Sequence, residues 1–212
     1  MHLNFFWAGL VNLGQTGAIV PSQRILIEKM IKPVPQTYDG RIIELGAGTG
    51  ALTFRLAARC PQARILACEI NPVLARDTRV RVAEAGLKER VEVLPQPAEE
   101  VLSEFGRNGA KKPDYIISGI PLGTLDGEKT RSLLHAIWKA LGDGGMYIQF
   151  QHSLLDKGKI RERFPTLRTA MVLLNFPPAV VYYAQRNGEG SGNGHAAIGH
   201  RRQRRQAALN RK

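Results

Sequence analysis

The stretch Ile42 to Leu52, reading IIELGAGTGAL, constrains the fold of this chain more than any other. A β-branched pair runs into Glu44, Gly46, Gly48 and Gly50 stand at alternate positions, and Ala51 to Arg59 is a run of helix formers. Glycine has no Cβ, so it takes positive φ without strain and lets a ligand approach the backbone. The pattern predicts a strand, a tight turn and a helix. The turn amides are expected to converge at the helix N-terminus, where they favour an anion. The spacing is not the GxGxxG of a dinucleotide pyrophosphate turn. A tight turn that holds no ligand is the plain alternative.

From this turn onward the chain alternates. Strands are predicted at Ile42 to Leu45, Arg64 to Glu69, Arg90 to Leu94, Asp114 to Ser118 and Met146 to Phe150. Helices are predicted at Pro72 to Ala85, Ala98 to Phe105 and Glu128 to Leu141. Parallel neighbours need crossover connections, so the alternation implies a parallel sheet with helices on both faces. Leu167 to Leu174 and Ala179 to Ala184 have no helix between them and read as a hairpin closing the sheet.

The ends differ from this middle. Met1 to Leu13 reads as a helix with Leu3, Phe6, Trp7, Leu10 and Leu13 on one stripe, and a second helix starts at Pro21 and Ser22 and ends before Pro33. The stripe either lies in a membrane interface or packs onto the domain. Asn187 to Gly194 has linker composition, and the last dozen residues carry six arginines and lysines. The expected organisation is residues 1–36 as N-terminal docking and lid helices, 37–186 as a cofactor-binding domain, and 187–212 as linker and basic tail. The formal net charge of +12 seeks a polyanion, either nucleic acid or an anionic membrane face. No basic n-region or cleavage site marks a secretory signal, no apolar run spans a bilayer, and Cys60 and Cys68 suggest neither a disulfide framework nor a metal knuckle. A reduced, cytosolic chain is expected.

Ligands of an open parallel sheet bind outside the carboxyl ends of the strands. The second strand delivers Cys68, Glu69, Ile70 and Asn71 there. A carboxylate about twenty positions after the glycine turn is placed to accept two ribose hydroxyls, which is the role read for Glu69. The other reading of Glu69 is a surface cap for the helix that begins at Pro72.

The E-x-G-x-G-x-G motif formed by Glu44, Gly46, Gly48 and Gly50 resembles that of class I S-adenosylmethionine-dependent methyltransferases. The resemblance implies a Rossmann-like, mostly parallel seven-stranded sheet with a C-terminal antiparallel hairpin. It also implies S-adenosyl-L-methionine as cofactor, S-adenosyl-L-homocysteine as product, and no metal. The loop, with Ala47 and Thr49, would pack against the amino-acid end of the cofactor. Related enzymes carry a Gly-Asp-Ala triplet after the third strand; this chain has Pro97 at the Asp position, which leaves adenine to the Ala98 backbone, Gln96 or Glu99.

A narrower resemblance follows from separated segments. Gly17 to Ser22 (GAIVPS), the glycine loop, Ser118 to Leu122 (SGIPL), Gly145 to Phe150, and Asn175 to Tyr182 (NFPPAVVY) resemble the small soluble bacterial phospholipid N-methyltransferases. That resemblance adds Gly17, Pro21, Ser22, Ser118 and Gly119 to the cofactor site. It implies methylation of the amino headgroup of phosphatidylethanolamine toward phosphatidylcholine, with ornithine lipids as the relatives' alternative. The partners are then an anionic membrane surface and an amine-headed lipid, met peripherally on the inner face of the cytoplasmic membrane. Nucleobase amino methyltransferases place an amide and an aromatic ring at the fourth strand's end; SGIPL has neither, so a flipped base fits poorly. His152 stands where the family often has Tyr, and is read either as the catalytic base for an ammonium headgroup or as a surface histidine. An RNA adenine dimethylase and an inactive cofactor-binding membrane adaptor are the competing functions.

Overall fold

The computed structural model describes residues 21–107, 111–175 and 177–187. The chain runs α1 (Pro21–Ile31), β1 (Arg41–Leu45), α2 (Ala51–Arg59), β2 (Arg64–Cys68), α3 (Pro72–Glu84), β3 (Val91–Leu94) and α4 (Ala98–Phe105). It continues with β4 (Tyr115–Ser118), a 3-10 turn (Leu122–Thr124), α5 (Gly127–Ala140), β5 (Met146–Gln151), α6 (Lys157–Arg163), β6 (Thr166–Val172) and β7 (Ala179–Gln185). The seven strands form one sheet in the order β3-β2-β1-β4-β5-β7-β6. This is the Rossmann-like methyltransferase sheet, with its antiparallel C-terminal hairpin.

The central strands are parallel and buried on both faces. In β1, Ile42 to Leu45 are all covered and only Arg41 is exposed, which is why the strand is apolar on both faces apart from Glu44. One core lies on the face covered by α1, α2 and α3, and includes Leu26, Met30, Ile42, Leu56 and Val82. The second, with Ile43, Leu102, Leu134, Ile137 and Phe164, lies under α4, α5 and α6. Local signals agree with this packing: Asn71 caps α3 by accepting from the amides of Val73 and Leu74, and Pro72 opens the first turn.

The expected element types hold with ends moved by a residue or so; β2, for instance, stops at Cys68 and leaves Glu69 in the loop. Helix α6 was not expected. Its sequence, KGKIRER, offers one buried apolar residue, Ile160, among charges and a glycine, so no amphipathic period marks it. The expected antiparallel hairpin closes the sheet. β7 pairs with β5 and β6 with β7, so the later strand sits inside and the earlier at the edge.

Residues 1–20, with Gly17 and the apolar stripe, and residues 188–212, with the basic tail, lie outside the described residues. α1 belongs to the main core: Leu26, Ile27, Met30 and Ile31 are buried there, and the Tyr183 hydroxyl donates to the Lys29 carbonyl at 2.8 Å. Among the described residues, no helix is long and apolar enough to cross a membrane.

Candidate active site

Strand order reverses between β1 and β4, and the loops leaving these two strands meet at the carboxyl edge. The Gly119 amide donates to the Leu45 carbonyl at 2.8 Å. A Cβ on Gly119 would stand 3.0 Å from the Gly46 carbonyl oxygen, so the two backbones touch where a side chain would separate them. Such a switch point is where an open α/β sheet takes its ligand.

The three loop glycines all have positive φ: 75° at Gly46, 54° at Gly48 and 81° at Gly50. A Cβ on Gly50 would come within 2.8 Å of Thr78 Cγ2, whereas one on Gly48 would meet nothing within 4 Å. Gly48 is thus the point at which the loop faces open space. The loop amides, however, do not gather for an anion. Those of Gly46 and Ala47 donate to the Cys68 carbonyl, that of Gly48 to Glu69 Oε2 at 2.8 Å, and that of Gly50 to the Ala47 carbonyl. Four of the loop amides are thus taken within the fold, by the Cys68 and Ala47 carbonyls and by the Glu69 carboxylate, and are not left for a bound anion.

Two carboxylates stand behind the loop instead. Glu69 is 1% exposed, with Oε2 on Gly48 and Oε1 accepting from the Asn71 amide at 2.9 Å. It is not a surface cap; Asn71 holds that role. Each of its oxygens retains acceptor capacity for a ligand hydroxyl. Glu44 is equally buried and accepts from the Thr53 hydroxyl at 2.7 Å. Burial, with the neighbouring Glu69 charge adding to it, pushes the Glu44 carboxyl up to about 8. A buried carboxylate at Glu69, with the amides of Gly46, Ala47, Gly48 and Gly50 already occupied, suits a ligand that presents ribose hydroxyls better than a pyrophosphate.

The adenine side is sparser. The Glu69 amide donates to the Leu94 carbonyl, so the end of β3 lies beside it. Pro97 occupies the N-cap position of α4 without a side-chain cap, Ala98 is buried in the first turn, and Glu99 and Glu100 follow. Ile70 is 68% exposed beside Glu69, an apolar surface available to a planar group.

On the other side of the switch point, buried Ser118 accepts from the Ile120 amide at 3.2 Å. β5 holds this turn from beneath: Gln149 Nε2 donates to the Ile120 carbonyl at 2.9 Å, and Gln149 Oε1 accepts from the Tyr147 hydroxyl at 2.6 Å. Phe150 supplies the aromatic ring that SGIPL lacks, lying 4.0 Å from the position of a Gly119 Cβ. His152 follows at the half-exposed end of β5, edge-on to Phe150 with ring centroids 5.7 Å apart. Its Nδ1 is 3.0 Å from the Pro178 carbonyl, which accepts only. A hydrogen bond between the two uses Nδ1 as the donor. Pro21 and Ser22 open α1 on the β5 to β7 side of the sheet.

Three supports escaped the sequence reading. The Thr78 hydroxyl donates to the Gly48 carbonyl at 3.1 Å, Arg81 donates to the Thr49 carbonyl at 2.6 Å while covering the Phe54 ring, and Thr53 holds Glu44. Thr78 and Arg81 sit three apart on α3, some thirty residues beyond the loop, and no local signal in the sequence links the two.

Residues 43–147 match a family described as Methyltransferase domain, the span that holds the glycine loop, Glu69 and the Ser118 turn. The chain carries a class I S-adenosylmethionine-dependent methyltransferase domain. An ornithine lipid N-methyltransferase of Singulisphaera acidiphila is 26% identical over 170 residues, covering 79% of this chain and 87% of that protein. A ribosomal RNA small subunit methyltransferase A of Corynebacterium jeikeium is 31% identical over 97 residues, 45% of this chain but 30% of that protein. An O-methyltransferase of Streptomyces achromogenes, solved in complex with S-adenosylmethionine, shares the fold with a TM-score of 0.59 at 15% identity, covering 85% of this chain and 89% of that one. The residues present fit the cofactor of this methyltransferase domain: open space at Gly48, a doubly acceptor-capable Glu69 and the apolar Ile70 meet a cationic amino acid, a ribose and a base respectively.

Proposed function

We propose that this methyltransferase N-methylates the amino headgroup of a membrane lipid. The observation that carries the reading is the match with the ornithine lipid N-methyltransferase, which covers 79% of this chain and 87% of that protein. The RNA enzyme aligns over 97 residues only, less than half of this chain. Phosphatidylethanolamine and ornithine lipid both present a primary amine, and either headgroup suits the chemistry.

S-adenosylmethionine, when bound, supplies an electrophilic methyl group on a sulfonium. The chain's own residues then have three tasks. Gly46 to Gly50 and Glu69 bind and orient the cofactor. The Ser118 to Leu122 turn, held from beneath by Gln149, shapes the entrance and excludes water. A lipid ammonium must lose a proton before its nitrogen attacks, and His152 Nε2, oriented through the Pro178 carbonyl, is the base assigned to that step. The enzyme works peripherally at the membrane, on the lipid headgroups it meets there.

The test uses the purified full chain, methyl-labelled cofactor, and vesicles containing either phosphatidylethanolamine or ornithine lipid. Label in the lipid fraction, resolved by mass into mono-, di- and trimethyl products, is expected. The presence of Phe150 beside Gly119 favours a second reading, a nucleobase amine in RNA. Label in ribosomal RNA with none in lipid overturns the proposal in its favour, and cofactor binding without turnover on any amine leaves an adaptor.

A further inference from the structure

Among the described residues, five of the nine exposed large hydrophobics crowd one edge of the molecule: Leu154, Leu155, Met171, Leu173 and Leu174. Leu155 is 88% exposed, Leu174 74% and Leu173 72%. They come from two segments that the sheet brings together. β5 ends at Gln151 opposite Val180, and β6 ends at Val172 opposite Ala179, so the β6 to β7 turn lies at the carboxyl end of β5. Two hydrogen bonds fasten the segment after β5 to the hairpin: Nδ1 of His152 to the Pro178 carbonyl at 3.0 Å, and the Tyr182 hydroxyl to the Ser153 carbonyl at 3.0 Å. Gln151 reaches the Ile120 carbonyl at 3.5 Å, which sets this rim beside the entrance to the site.

Exposed apolar side chains of this size, gathered on two turns, mark a surface with a partner. They project from turns and from the end of an edge strand, and form neither a groove nor a continuous helix face that a protein segment would fill. Behind Leu155, α6 carries Lys157, Lys159, Arg161 and Arg163 against Glu162 and the N-cap Asp156, which pairs with Lys159 at 2.9 Å, leaving an excess of cations. Apolar tips backed by cations complement the acyl boundary and headgroups of an anionic bilayer.

We propose that this rim inserts into an anionic membrane surface, with α6 against the headgroups, so that the site entrance opens onto the lipid plane. The inference rests on the lipid-amine reading and names the surface that delivers it. It also makes the hairpin, rather than the chain before Pro21 alone, a membrane contact.

The experiment places an environment-sensitive thiol label on Leu174→Cys in the full chain, where the two native cysteines are buried and do not compete. Vesicles of phosphatidylglycerol and phosphatidylcholine, containing no amine lipid, are expected to shift the label's emission to the blue. Pure phosphatidylcholine vesicles should bind at least tenfold more weakly. Leu173→Ser with Leu174→Ser, on an exposed turn, should lower vesicle affinity at least tenfold while leaving cofactor affinity unchanged. A label insensitive to anionic vesicles overturns the proposal. So does a label already blue-shifted in vesicle-free protein and released either by dilution, which indicates a second copy, or by Phe6→Ser with Trp7→Ser, which indicates the chain's own N-terminal segment. Because the vesicles hold no methyl acceptor, insertion without lipid methylation would strike the proposed function and leave the docking surface standing.

Discussion

The two sides of the switch point are built differently. On the β1 to β3 side, Glu44 and Glu69 are buried, the loop is partly so, and each has a hydrogen-bond partner within the fold. On the β5 to β7 side, the ends of the strands carry a partly buried His152 and an apolar rim that is half or more exposed, held by a few contacts across long sequence separations. A cofactor common to many enzymes is met by a rigid cradle. A headgroup that arrives in a bilayer is met by an edge with apolar surface to spare. The difference teaches that in this fold binding precision and substrate access are assigned to opposite ends of one sheet.

Breaking the rigid side should have the largest effect. Gly50→Val forces a β-branched residue to φ 81° against Thr78, and should cost about 3 kcal/mol of stability and abolish measurable cofactor binding. Thermal unfolding and calorimetric titration check it; a wild-type affinity would show the loop to be remote from the cofactor. Glu69→Ala removes the acceptor for two backbone amides and for the ribose, with an expected loss of about 1.5–3 kcal/mol in cofactor affinity, roughly ten- to hundredfold. Equal affinities in the two proteins would place the ribose elsewhere.

A pH experiment sharpens the same side. The Glu44 carboxyl is raised from 4.5 to about 8 by burial, so the native state holds a proton that the unfolded chain releases. Stability from this group is complete below the unfolded value and is lost as pH rises toward 8. Glu44→Gln should therefore flatten the fall in unfolding free energy between pH 5 and pH 8, by at least about 1.4 kcal/mol, the equivalent of one pK unit. Denaturant titrations at the two pH values measure it; an unchanged slope would mean that Glu44 is charged throughout.

The gentlest change tests the open side. Tyr182→Phe deletes the bond to the Ser153 carbonyl, worth about 1 kcal/mol, and should raise KM for vesicle substrate severalfold without altering cofactor affinity. Steady-state kinetics with both substrates decide it. A change confined to cofactor affinity would show that the two sides are not separable in this way.

Much of the cofactor side was legible because its signals are local. The alternate glycines, the β-branched lead-in and the helix formers lie within a dozen residues, and Glu69 follows at the next strand end. The remainder depended on pairing. Thr78 and Arg81 reach the loop only because α3 packs over it, and Phe150 meets Gly119 only because β4 and β5 are neighbours. The loop amides, expected to seek an anion, could not be assigned without knowing that the Cys68 carbonyl and Glu69 would take them.

The sequence by itself determined the strand and helix alternation, the turn that requires three glycines, and the carboxylate that follows it, because backbone conformation at such positions is set by neighbours a few residues away. Only the tertiary structure decided that β7 lies inside β6, that α6 exists, and that Leu154 and Leu155 share a rim with Leu173 and Leu174. Those facts come from strand register and burial between segments far apart in the chain, a kind of information that no local window of residues contains.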